Sequence, residues 1–143
     1  MRPILLVEDN PDDIELTVMA LSQEHIANPI ELARDGAEAL ERLEDRSKPV
    51  PLLVLLDLKL PRISGLEVLK RLRSNDRTHN VPVVVLTSSR EESDLGSTYD
   101  SGVNAYVRKP VDFDSFTEIV RQLGLFWLVT NEPPPEAGNG HSA

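Results

Sequence analysis

Apolar residues gather in three short unbroken runs: Ile4-Leu5-Leu6-Val7, Leu52-Leu53-Val54-Leu55-Leu56 and Val83-Val84-Val85-Leu86. A half-exposed strand alternates apolar and polar residues, whereas an unbroken run predicts a parallel strand covered on both faces. Two weaker candidates are Ile30-Glu31-Leu32-Ala33, which alternates, and Ala105-Tyr106-Val107. Their weakness predicts that they lie at the sheet edges.

Helical periodicity fills the gaps between the runs. Asn10 stands as an N-cap before Pro11 and the acids Asp12 and Asp13, and Ile14, Val18 and Leu21 recur at helix spacing. A second helix is predicted over 37–44, with Ala39, Leu40 and Leu43 inward. A third follows Ser64-Gly65, with Leu66, Leu69 and Leu72 inward. A fourth, poor in apolar residues, is predicted near 91–101. A fifth runs over 112–127, with Phe113, Phe116, Val120 and Leu123 on its buried face. Five strand–helix units predict an α/β fold in which five helices cover both faces of a five-stranded parallel sheet. Residues 1–128 read as one domain. Residues 129–143, which carry Pro133-Pro134-Pro135, read as a flexible tail.

Composition narrows the function. The chain has 143 residues and a net charge of −9, a field that repels phosphate backbones and argues against nucleic-acid binding. No apolar run approaches the roughly 20 residues that span a bilayer. The apolar stretch at 4–7 ends in acids rather than at a small-residue cleavage site, so no secretion signal is expected. With no cysteine, disulfides and thiol chemistry are excluded. These features together predict a cytoplasmic protein without membrane attachment.

The polar residues that follow the predicted strands carry the chemistry. Glu8-Asp9 follows the first, Asp57 the third, Thr87-Ser88 the fourth, and Lys109-Pro110 the fifth. Ligands of open α/β sheets bind beyond the carboxyl ends of the strands. One acid in such a place is commonly a solvated loop residue, but three carboxylates, a hydroxyl and an amine at one edge make a candidate site. Asp57 is ionised at neutral pH and can act as a nucleophile. Clustered carboxylates call for a divalent cation, and hard oxygen ligands select Mg²⁺. Lys109 can balance phosphoryl charge, and Thr87 can donate to a phosphoryl oxygen.

At this point the chain resembles the response-regulator receiver domain. The resemblance rests on Val7-Glu8-Asp9-Asn10, on Leu56-Asp57-Leu58-Lys59-Leu60-Pro61 with Gly65, on Leu86-Thr87-Ser88 and on Tyr106-Val107-Arg108-Lys109-Pro110. It covers about residues 3–127 and implies the flavodoxin-like strand order 2-1-3-4-5. It further implies Asp57 as phospho-acceptor, charged by a histidine kinase. Asp9, Asp57 and the backbone carbonyl of Lys59 would ligate Mg²⁺ (or Mn²⁺), with Glu8 acting through water. Thr87, beside Ser88, would be the switch hydroxyl, Tyr106 the coupled aromatic, and Lys109 the ion-pairing lysine joined to Pro110 by a cis bond. Two plainer readings stay open: Tyr106 as an edge-strand aromatic, and Thr87-Ser88 as a helix N-cap pair. His25, His79 and His141 lie outside the cluster and read as surface residues.

The opening Glu8-Asp9-Asn10-Pro11-Asp12-Asp13, the long loop over 44–51 and the ending Phe126-Trp127 are similar to stand-alone regulators paired with bacterial phytochrome kinases. A partner kinase of bacteriophytochrome type is therefore expected. The chemistry implied is self-phosphorylation and autodephosphorylation, not turnover of an external substrate. A dehalogenase-type phosphatase would need an Asp two residues after Asp57, where Lys59 stands. A flavodoxin-like cofactor carrier would need a Ser/Thr/Gly-rich loop in place of residues 8–13. An unphosphorylated scaffold with the same fold would not need every chemical position intact. The tail is too short to fold alone, so output falls to another protein, self-association or onward transfer. The run Leu125-Phe126-Trp127-Leu128-Val129 exceeds one helical face. It packs on the domain's own sheet or forms a homodimer interface through Phe126, Trp127 and Leu128.

Overall fold

The structure is a computed structural model and describes residues 2–23, 26–87, 102–109 and 113–122. Among the described residues there are five parallel strands: β1 (Ile4–Val7), β2 (Ile30–Ala33), β3 (Leu53–Asp57), β4 (Val83–Thr87) and β5 (Ala105–Arg108). Four helices are described: α1 (Pro11–Gln23), α2 (Gly36–Glu44), α3 (Gly65–Ser74) and α4 (Phe113–Gln122). The helix predicted near 91–101 lies outside the described residues. So do the C-terminal segment with Phe126, Trp127 and Leu128, and also Ser88, Pro110, His25 and His141.

The sheet order is β2-β1-β3-β4-β5. The unbroken apolar runs form the three central strands, and the two weaker strands lie at the edges, as the pattern requires. Alternate residues of one strand feed two separate cores. Ile4, Leu6, Leu53, Leu55, Val84 and Leu86 pack with Ala20 and Leu21 of α1. Leu5, Val7, Val54, Leu56, Val83 and Val85 pack with Leu40 and Leu43 of α2 and Leu69 and Leu72 of α3. Helix α1 lies beside α4, and α2 beside α3.

Local chemistry sets the helix starts. The Asn10 side-chain oxygen accepts from the amides of Asp12 at 2.8 Å and Asp13 at 3.2 Å, which caps α1. Asp35 accepts from the Glu38 amide and Ser64 from the Glu67 amide in the same way. The periodicity of α3 is fuller than expected: Val68 is buried with Leu69 and Leu72, while Leu66 is only half-buried. Helix α1 buries Thr17, Ala20 and Leu21, with Ile14 and Val18 packed partly against the same core. The side chains of Phe113, Phe116 and Val120, and all of Leu123, lie outside what is described.

Strand limits differ slightly from the apolar runs. β3 runs Leu53–Asp57 rather than 52–56, so Asp57 is the last residue of the strand. Its backbone pairs in register with Leu86 of β4. Polar Asp57 extends the ladder because β-sheet hydrogen bonds are made by backbone, whatever the side chain. β4 and β5 likewise extend to Thr87 and Arg108, which pair with one another.

Candidate functional site

Asp57 reaches the carboxyl edge on the central strand and is buried, 6% exposed. β1 pairs beside β3, with Val7 opposite Leu56, which brings Glu8 and Asp9 to the same edge. Glu8 is fully buried and Asp9 exposed. The Asn10 amide donates to Glu8 Oε2 at 3.2 Å, and the Lys59 amide donates to Asp57 Oδ1 at 3.2 Å. Glu8, Asp9, Asn10, Pro11, Asp13, Asp57, Lys59 and Lys109 line an open cleft of about 650 Å³.

Lys109 follows β5 and sends its ammonium across the sheet edge. Nζ lies 2.8 Å from Glu8 Oε1, 3.0 Å from Asp13 Oδ2 and 3.3 Å from Asp57 Oδ2. Only Glu8 Oε2, at 3.0 Å, is aligned as a hydrogen-bond acceptor for it within Glu8, so buried Oε1 keeps an ion-pair contact without a hydrogen bond. Burial pushes the Glu8 carboxyl up to about 7; the hydrogen bond from Lys109 pulls it down and the Asp57 charge adds to the rise. Burial alone would lower the Lys109 pKa, but hydrogen bonds to Glu8 and Asp13 and the neighbouring negative charges hold it above its ordinary value. The ammonium is therefore a fixed cation at neutral pH.

The loop after Asp57 is held by backbone contact. The Gly65 amide donates to Leu58 O at 3.0 Å, and a Cβ on Gly65 would lie 2.2 Å from Asp57 O. Only glycine lets the start of α3 approach the phospho-acceptor candidate's own carbonyl so closely. Arg62 adopts φ +70°, between Pro61 O and the Ile63 amide that donates to it at 2.8 Å. Ile63 O in turn sits where a Cβ of Gly36 would fall, at 2.0 Å. The start of α2 thus braces the loop that carries Lys59.

One carboxylate oxygen from each of Glu8, Asp9 and Asp57 lies within 4.8 Å of the other two. Three hard oxygen donors in one cleft fit a divalent cation of the Mg²⁺ or Mn²⁺ type.

The structure brings together Glu8, Asp9, Asp57, Lys59 and Lys109 from the sequence-predicted set. Thr87 ends β4 on the strand beside Asp57, at the same edge. Tyr106 is half-buried against the core shared with α2 and α3. Asp13 was expected only as an acid in the first turn of α1, and its bond to Lys109 was missed. The available signal was its place one turn past the Asn10 cap, on a helix starting at the site.

A family profile described as the response regulator receiver domain matches residues 4–121. The chain belongs to the response regulator receiver domain family. Among curated relatives, this receiver is 39% identical over 137 residues to the probable methanogenesis regulatory protein FilR2 of Methanothrix harundinacea, covering 94% of this chain and 88% of that one. Among solved structures, it is 49% identical to the bacteriophytochrome response regulator RtBRR, with a TM-score of 0.82, covering 96% of this chain and 87% of that one. The Mn²⁺-bound form of response regulator Rcp1, a protein of Synechocystis sp., is 36% identical with a TM-score of 0.75, covering 94% and 99%. The receiver is thus a response regulator of two-component signalling, related to phytochrome response regulators. Among the described residues, no helix is long and apolar enough to cross a membrane.

Proposed function

We propose that this receiver accepts a phosphoryl group on Asp57 from a histidine kinase of the bacteriophytochrome type, in a reaction that requires Mg²⁺ or Mn²⁺. One observation carries the reading: buried Asp57 shares a cleft with two further carboxylates and faces the ammonium of Lys109 at 3.3 Å. An Asp57 carboxylate oxygen attacks phosphorus and forms a P–O bond. The P–N bond of the phosphohistidine breaks, and the imidazole nitrogen keeps the electron pair and takes a proton. The product is an acyl phosphate. A bound divalent cation would supply charge neutralisation on the phosphoryl oxygens. Asp9, Asp57 and the Lys59 carbonyl would hold it directly and Glu8 through water. Lys109 supplies a second positive charge, and Thr87, with Ser88 after it, the hydroxyl that meets a phosphoryl oxygen.

Likeness to RtBRR supports the phytochrome-type kinase. The work of the chain is then self-modification and protein contact in the cytoplasm, with no nucleic-acid partner. Homodimerisation through Phe126, Trp127 and Leu128 is the output reading that the sequence supports. Sedimentation of the full chain beside a chain ending at Leu123 tests it, and two monomers refute it.

For Asp57, the receiver is treated with acetyl phosphate and Mg²⁺ and its intact mass measured. Wild type gains one phosphoryl adduct, which Asp57→Asn and EDTA both abolish. An equal adduct on Asp57→Asn, or none on wild type, overturns the assignment.

A further inference from the structure

Lys109 is committed to more acids than the metal site requires. An ammonium has three N–H donors, and here three carboxylates, Glu8, Asp13 and Asp57, lie within 3.3 Å of it. Glu8 and Asp57 belong to the cation cluster, whereas Asp13 does not. Asp13 stands in the first turn of α1, with its amide fixed to the Asn10 cap at 3.2 Å. Asp57 ends β3, so the two carboxylates draw on Lys109 from two separate elements. The contact to Asp57 is the longer, 3.3 Å against 3.0 Å.

A phosphoryl group on Asp57 replaces the single negative charge of the carboxylate with about −1.5 to −2, and sets three acceptor oxygens beside this ammonium. An ammonium held by Asp13 has one donor fewer to offer them. We propose that Asp13 is a positioning residue that competes with phosphorylated Asp57 for Lys109 and so weakens the phosphoryl-bearing state. The inference rests on the assignment of Asp57 as phospho-acceptor.

The test uses beryllofluoride with Mg²⁺ on the full chain, followed by ¹⁹F NMR titration. Beryllofluoride adds to a carboxylate oxygen as a stand-in for the phosphoryl group. Asp13→Asn removes the charge at nearly constant shape and is expected to tighten beryllofluoride by about threefold to fivefold, the scale of a partly exposed ion pair. Asp13→Glu keeps the charge and returns affinity to within about twofold of wild type by the same measure. In a Lys109→Met background, Asp13→Asn changes nothing, because the competition is for Lys109. Should Lys109→Met be too unstable to titrate, Lys109→Gln serves the same cycle. An Asp13→Asn affinity equal to wild type overturns the inference. So does tightening that persists without Lys109, which would make Asp13 a mere through-space charge. If wild type binds no beryllofluoride and takes no phosphoryl group from acetyl phosphate, the assignment of Asp57 fails first and the inference falls with it.

Discussion

At the amino ends of the strands, Arg73 donates all five of its N–H groups, to the carbonyls of Gly102, His79 and Val81 and to Asn104 Oδ1. Arg77 donates to the carbonyls of Leu43, Asp45 and Lys48, and Arg2 to those of Val50 and Pro51. These guanidiniums meet neutral oxygens of loops and of the end of α2, and the long 45–51 loop is pinned by them. At the carboxyl ends, by contrast, the ammonium of Lys109 faces the carboxylates of Glu8, Asp13 and Asp57. Asp9 stands by, exposed. One rim uses charge to close the fold with its own acceptors. The other gathers excess negative charge that a cation from solution can complete.

The largest expected effect breaks that contrast or sustains it. Lys109→Met strips the cation from fully buried Glu8 and is expected to cost about 3–5 kcal/mol in metal-free buffer at pH 8. Loss of the ammonium beside Glu8 and Asp57 also tightens Mg²⁺ at their carboxylates, so saturating Mg²⁺ stabilises this variant more than wild type and recovers part of the loss. Arg73→Met removes the side-chain donor from the carbonyls of Gly102, His79 and Val81, leaves Asn104 Oδ1 with the Val83 amide, and costs about 1–3 kcal/mol. There Mg²⁺ helps variant and wild type equally. Urea unfolding of both variants with and without Mg²⁺ checks this, and equal rescue of the two would erase the distinction between the rims.

Two glycines sharpen it at a smaller scale. Gly65→Ala forces a Cβ to 2.2 Å from Asp57 O, so backbone must move, at about 1–3 kcal/mol. The movement falls on the loop bearing Lys59, so Mg²⁺ affinity drops as well. Gly102→Ala strains a residue at φ +90° beside Arg73 Nε and costs about 1–2 kcal/mol. Its Mg²⁺ affinity, measured by titration calorimetry, stays at the wild-type value.

The amino-rim clamp was not legible in the sequence. Arg73 and Arg77 look like ordinary exposed positions of a helix and the turn after it, because their acceptors, backbone carbonyls and the Asn104 side chain, follow no sequence pattern. The strands were legible because burial on both faces demands unbroken apolar runs, and the edges because β2 lacks one. Asp57, Glu8 and Asp9 could be read because each follows an apolar run that ends at one edge. Asp13 was missed because its helix position and its partner, Lys109, are 96 residues apart by number (109 − 13), with no pattern to join them. Gly36 was missed because what it touches, Ile63 O, is backbone.

The smallest expected effect concerns the acid that the fold buries. Glu8 has its carboxyl pushed from 4.5 up to about 7, chiefly by burial. A folded-state pKa above the unfolded value means that the native chain binds the extra proton. Stability from this group is therefore fully present below about pH 4.5 and is lost as pH rises through about 7. The whole interval would correspond to about 3 kcal/mol, and relaxation of the side chain and of the Lys109 ammonium beside it reduces it to about 1 kcal/mol. Metal-free wild type should thus lose that much between pH 5 and pH 8 relative to Glu8→Gln, whose side chain does not titrate. A divalent cation favours the ionised carboxylate, so with saturating Mg²⁺ the two stability profiles should run parallel. A wild-type profile parallel to Glu8→Gln without metal would mean that Lys109 already keeps Glu8 ionised throughout. The carboxyl rim would then be as self-contained as the arginine rim.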